Sequence, residues 1–169
     1  MATTTRVPVE VYLRSSYEPD AEYVDGEIEE RAVGEYDHAD WQQAIQTWFG
    51  IHKKDWGIRV FAELRVQVAA TRFRVPDVTI LDRDWPVEQI ITQPPLAVFE
   101  ILSPEDSLQR LKRKLQDYAT MGIAEIWVID PQDVTYYRYQ ERQLLRNDSF
   151  SLIPKGIVFP MDRIKEYLD

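Results

Sequence analysis

A chain of 169 residues, 44% hydrophobic and 12% aromatic, suits a single domain, 1–169, that buries roughly two thirds of its extended surface. Six Gly and ten Pro exclude collagen-like and low-complexity classes, and the absence of cysteine excludes disulfides, thiolate zinc sites and a thiol nucleophile, so any metal must be held mainly by carboxylates. A formal net charge of −9 argues against a protein that coats nucleic acid, because phosphate neutralisation needs clustered Lys and Arg.

The N-terminal Met-Ala-Thr-Thr-Thr-Arg carries no apolar signal core, and no stretch approaches the roughly 18 apolar residues of a membrane span. A cytoplasmic location without membrane association is the expectation. Glu22-Tyr23-Val24 and Glu27-Ile28-Glu29 flank Asp25-Gly26, a two-residue loop whose positive φ these residues tolerate, which predicts an N-terminal β-hairpin. Behind Asp37 as a cap, Trp41, Ala44, Ile45, Trp48 and Phe49 recur at helical spacing and predict a helix over about 38–54. Alternation from Arg59 to Val68 predicts one half-buried strand. A basic turn holding Arg72 and Arg74 leads into Val75-Pro76-Asp77-Val78-Thr79-Ile80-Leu81, a second strand with proline near its start, where a missing N–H is tolerated.

From Pro95 to Leu102 the sequence is nearly continuously apolar, the mark of a strand covered on both faces. Glu100 alone interrupts it. Leu108, Leu111, Leu115, Tyr118 and Ala119 share one stripe ahead of Gly122, predicting a helix over about 105–121. Glu125 to Asp130 reads as another buried strand, so strand, helix and strand form a βαβ unit with parallel strands and a right-handed crossover. Two short strands, Val134 to Tyr139 and Gln143 to Arg146, and an amphipathic helix from Met161 to Leu168 complete a chain of α/β class.

An ionised carboxylate in a strand buried on both faces is costly unless a cation or strong donors compensate it, so Glu100 must meet something positive. A salt bridge to a neighbouring Arg or Lys would serve; a metal ion is the sharper alternative. If the strands of Asp77 and Glu100 are neighbours, the two carboxylates converge on one oxygen-seeking cation, Mg2+ or Mn2+. On a helical wheel Lys114 falls on one flank of the apolar stripe and Lys112 on the other, with Arg113 pointing away. All three equally fit a solvated basic face. His38, in the first turn of the first long helix, is disfavoured as a cation by the helix dipole, which fits a neutral ligand or a hydrogen-bonding role. Glu63 and Glu22 are accessory carboxylates that otherwise read as surface charge.

Taken in order, Glu-Tyr-Val-Asp-Gly-Glu from Glu22, His38, Val-Pro-Asp-Val from Val75, Phe-Glu-Ile-Leu-Ser-Pro from Phe99, Lys114, Tyr118, Gly122 and Glu-Ile-Trp-Val-Ile-Asp-Pro from Glu125 resemble the Uma-two family. That family is a bacterial branch of the PD-(D/E)xK restriction-endonuclease-like superfamily. The resemblance implies a restriction-endonuclease-like core, a central mixed β-sheet flanked by helices, and a metal-dependent endonuclease that hydrolyses phosphodiester bonds of DNA. It assigns Asp77, Glu100 and the Ile101 carbonyl to the metal, and Lys114 to orienting the nucleophile or stabilising developing charge. The superfamily lysine normally stands two residues after the acid, where this chain has Leu102; a lysine on the following helix, matched by Lys114, takes its place.

The acidic charge and the displaced lysine keep a second expectation open, a catalytically silent nuclease-fold protein used for binding or dimerisation. A third is a hydrolase of another small phosphoester. Family habit implies a homodimer, and Tyr136, Tyr137 and Tyr139 are candidates for packing through an exposed sheet face. Core packing explains these tyrosines equally well.

Overall fold

The computed structural model describes residues 5–169, so the first four residues of the N-terminal reading lie outside the described residues. In chain order the elements begin α1 (Val9–Arg14), β1 (Glu22–Val24), β2 (Glu27–Glu29), α2 (Tyr36–His52), β3 (Ile58–Ala62), β4 (Val66–Ala69), β5 (Arg72–Arg74) and β6 (Val78–Asp82). They continue β7 (Ala97–Ile101), α3 (Leu108–Met121), β8 (Glu125–Asp130), β9 (Thr135–Gln140), β10 (Gln143–Arg146), β11 (Ser149–Leu152), β12 (Ile157–Pro160) and α4 (Asp162–Lys165).

Six strands in the order β10-β9-β8-β7-β6-β3 form the central sheet. It is mixed, as expected: β7 and β8 run parallel across the α3 crossover, and the other neighbours are antiparallel. Side chains in a strand alternate between faces, and here each face finds a separate cover. Ile80, Phe99 and Trp127 pack with Ile45 and Phe49 of α2 and with Phe150 and Phe159 of the β11–β12 hairpin. Val98, Ile126 and Val128 point the other way, onto Leu111, Leu115 and Tyr118 of α3 and Val66 of β4. Glu100, two residues beyond Val98, therefore belongs to the α3 face. No helix among the described residues is long and apolar enough to cross a membrane.

A second sheet, β2-β1-β5-β4, lies over the α3 side, and its formation corrects two expectations. The alternating run from Arg59 to Val68 is two strands in different sheets, β3 pairing with β6 and β4 with β5. The break falls at Glu63, whose φ is 56°. Beyond it Arg65 is drawn to the N-terminal segment, donating to both Asp20 oxygens at 2.7 and 2.8 Å and stacking over the Tyr12 ring at 4.2 Å. The expected basic turn is β5 itself, which places Arg72 and Arg74 on one side and Phe73 on the other.

Helix α3 starts three residues later than expected. Ser107 caps it by accepting from the Arg110 N–H, while Asp106 takes the Ser103 N–H at 2.7 Å. Leu108 and Ala119, expected on the buried stripe, are exposed. Asp37 lies inside α2 rather than capping it, because the helix begins at Tyr36. The terminal helix shrinks to Asp162–Lys165, and α1 and the β11–β12 hairpin were not expected.

Two hairpin turns share one geometry but not one sequence. Asp25-Gly26 has φ of 50° and 96°, as expected, whereas Glu141-Arg142, joining β9 to β10, has φ of 52° and 62°. Positive φ at both central positions is the type I′ pattern that Asn-Gly meets without strain. Replacing Glu141-Arg142 by Asn-Gly is expected to raise stability by about 1 kcal/mol, since each strained residue costs on the order of 1 kcal/mol. Urea denaturation checks this; an unchanged midpoint would show that the turn stores no strain.

Candidate active site

Strand β6 pairs antiparallel with β7, Val78 facing Phe99. Continuing that register by one residue sets Asp77 opposite Glu100, and alternation puts both side chains on the α3 face. Opposed residues in such pairs have Cβ atoms about 4.5–5.5 Å apart. The two carboxylates thus stand together, with Asp77 3% and Glu100 6% exposed. Asp77 is fixed further by its Oδ2, which accepts from the Ile101 N–H at 2.7 Å.

Around this pair lies a cleft of about 340 Å³, lined among others by Glu22, His38, Asp77, Glu100, Ile101 and Lys114. Lys114 spans two acids, its Nζ 2.7 Å from Glu22 Oε1 and 2.9 Å from Glu100 Oε2. That geometry selects Lys114 over Lys112, which is exposed on α3 and does not line the cleft. Glu63 is likewise outside it, reaching Arg31 at 3.5 Å. Glu22 is not surface charge: it is 2% exposed and also accepts from Arg74 and the Val75 N–H.

Burial disfavours the charge of every acid here, yet their pKa values part. Asp77 stays below the usual carboxylate range because the hydrogen bond and charge of His38, with Lys114 and Arg31, outweigh desolvation. Lys114 and Arg74 do the same for Glu22. For Glu100, burial wins over Lys114, and the negative charges of Asp77 and Glu22 push it further up, to about 7. Lys114 meanwhile is raised despite its burial, since all three acids favour its charge. The neighbouring carboxylates act in the same sense on both groups, raising Lys114 against its burial and adding to the burial that already raises Glu100.

Of the two roles expected of His38, a neutral ligand or a hydrogen-bonding group, the structure shows the hydrogen bond, made to Asp77. Its Nε2 lies 3.2 Å from Asp77 Oδ1, and although burial opposes its charge, that carboxylate holds its pKa above the ordinary value. A nearby full charge exceeds the partial charge of a helix end.

Arg31, Arg74 and the Tyr118 hydroxyl escaped sequence reasoning. Arg31 Nη2 donates to Asp77 Oδ1 at 2.8 Å, and Tyr118 donates to Glu100 Oε1 at 2.6 Å. Arg74, 2% exposed, meets Glu22, Glu29 and Asp117 within 3.1 Å. Only Tyr118 left a signal, since a buried phenol on an apolar stripe needs a partner for its O–H. Of the three tyrosines considered for a subunit face, Tyr136 and Tyr139 are buried and bonded to Asp162 and Gln116, while Tyr137 is half-buried.

Asp77 and Glu100 offer carboxylate oxygens, the donor type that a hard divalent cation takes, and the Ile101 main chain is fixed beside them by its N–H bond to Asp77. Burial first, and then the neighbouring charges of Asp77 and Glu22, disfavour the ionised form of Glu100, and a bound cation would offset that penalty. Among the described residues no group of three or more His, Asp and Glu is arranged to hold a metal, so an ion here would rest on two carboxylates.

No curated protein is detectably similar in sequence. Among solved structures, the crystal structure of a “putative nuclease belonging to DUF820 from Anabaena variabilis” superposes with a TM-score of 0.78 at 20% identity, covering 95% of this chain and 98% of that one. Identity at that level speaks to the fold, a restriction-endonuclease-like mixed sheet flanked by helices. A cryo-EM structure of a DrdV–DNA complex matches at a TM-score of 0.40 and 18% identity over 62% of this chain and 10% of that one, too loosely to carry weight. The family model Uma2, described as “Putative restriction endonuclease”, matches residues 9–158, and the chain belongs to that family.

Proposed function

We propose that the protein is a divalent-metal-dependent endonuclease hydrolysing phosphodiester bonds of DNA, with Asp77, Glu100 and Lys114 as its catalytic residues. The observation that carries this reading is the placement of Asp77 beside Glu100 on paired strands, with Lys114 Nζ 2.9 Å from Glu100. Asp77, Glu100 and the Ile101 carbonyl would hold Mg2+ or Mn2+. Such an ion, when bound, would lower the pKa of a coordinated water and offset charge on the phosphoryl oxygens. Lys114 keeps its proton, as its raised pKa requires, and so acts through charge on the water or the phosphoryl oxygens rather than as a general base. Glu22 and Tyr118 hold the ammonium and the Glu100 carboxylate in place. The reading supposes a cytoplasmic protein, and cell fractionation tests that.

A second reading, a silent fold used for binding or dimerisation, is favoured by the full set of protein partners that both acids already have. Calorimetric titration separates the two. Heat of binding for Mn2+ at micromolar to millimolar concentration, lost in Asp77→Asn, is the expected outcome; no heat, together with a dimer in sedimentation, would favour the second reading.

A further inference from the structure

Most cations of the cleft are committed. Lys114 bridges two carboxylates and Arg74 meets three. Arg31 is different. It rides on the irregular connection 30–35 between β2 and α2, and its side chain is only 9% exposed. Nη2 donates to Asp77, but Nη1 is buried without a hydrogen-bond partner, its contact with Glu63 being 3.5 Å. A buried guanidinium N–H left without a hydrogen bond is costly; Nη1 faces Glu63 outside the cleft, while Arg31 itself is one of the residues that line it.

Asp77 does not depend on Arg31. Its Oδ1 also faces His38, and its Oδ2 holds the Ile101 N–H, so it stays partnered if the guanidinium leaves. His38 belongs to α2, a 17-residue helix, and stays in place, whereas Arg31 sits in a connection with no ladder or helix bonds to break. A planar guanidinium with a spare edge matches two oxygens of a phosphate better than a point charge does.

We propose that Arg31 is the phosphate-binding residue of this cleft. In the free protein it rests on Asp77; on binding it turns its fork onto the non-bridging oxygens of a nucleic-acid backbone phosphate. The proposal rests on the nuclease reading for its substrate class and deepens it by naming the side chain that grips the substrate.

The test is fluorescence anisotropy of a labelled DNA duplex with the full chain in EDTA, over a salt series. Arg31→Met keeps the aliphatic stem and is expected to weaken binding about 10-fold and to lower the slope of log affinity against log salt by about one unit. Arg31→Lys is expected to restore the slope. A structural role for Arg31 would lower the melting temperature of Arg31→Met and leave the slope alone. An unchanged slope in a folded variant, with wild-type protein still cleaving DNA in Mg2+ or Mn2+, overturns this proposal and spares the nuclease reading. Wild-type protein that neither binds nor cleaves overturns both.

Discussion

Asp77→Asn is expected to reduce the proposed metal-dependent DNA cleavage by at least about 1,000-fold, since an ion held there would contribute several kcal/mol at about 1.36 kcal/mol per decade of rate. The same change should destabilise the folded protein by about 2 kcal/mol, the scale of hydrogen bonds to a charged group. Asp77 serves Arg31, His38 and the Ile101 N–H together, and a neutral amide holds Arg31 and His38 less well. Plasmid nicking assays and urea denaturation read the two effects. Cleavage persisting within 10-fold of wild type would remove Asp77 from the reaction.

Glu100→Gln is expected to lose cleavage on a similar scale but to move stability the other way. The folded pKa of Glu100 is about 7, against an ordinary 4.5, so the fold favours the protonated form. Its ionisation therefore erodes stability as pH rises from about 4.5 through 7. Glutamine mimics the protonated acid and still accepts from Tyr118, while Lys114 keeps Glu22. In EDTA at pH 8 the variant should exceed wild type by on the order of 1–3 kcal/mol, a shift of one pKa unit being about 1.4 kcal/mol. At pH 4.5 the difference should shrink towards zero. A variant less stable than wild type at pH 8 would mean that the Lys114 ion pair outweighs burial. Opposite stability effects for two acids facing the same cleft are what their opposite pKa shifts require, and a site that costs its protein stability is common where function sets the residues.

Much of the central layer was legible in the sequence because β6, β7 and β8 are nearly pure apolar runs and α3 has a marked stripe. Glu100 stood out for the same reason, as the single charge in an apolar strand. Less legible was everything fixed by contacts distant in sequence. The break at Glu63 follows from Arg65 reaching Asp20 and Tyr12, 45 and 53 residues away, and alternation carries no trace of that pull. Glu22 looked like surface charge because its partners, Arg74 and Lys114, come from β5 and α3. The hydrogen-bonding role of His38 was legible, but its partner was not, because the helix end is a local feature and Asp77 is not. Lys114 emerged from the sequence only beside a family pattern, since helical phase alone left Lys112 equally placed.

The buried guanidinium of Arg74 also sets how far the protein can be trimmed. Glu22 and Glu29 reach it from the N-terminal hairpin and Asp117 from α3, so the hairpin and the helix bearing Lys114 share one fastening. A shortened version starting at α2 would retain every strand of the six-stranded sheet. It would nonetheless strand a positive charge in the interior and untie the lysine from one of its two acids. The minimal working piece therefore includes the front end of the chain, and transplanting this chemistry onto another scaffold would mean moving both layers together.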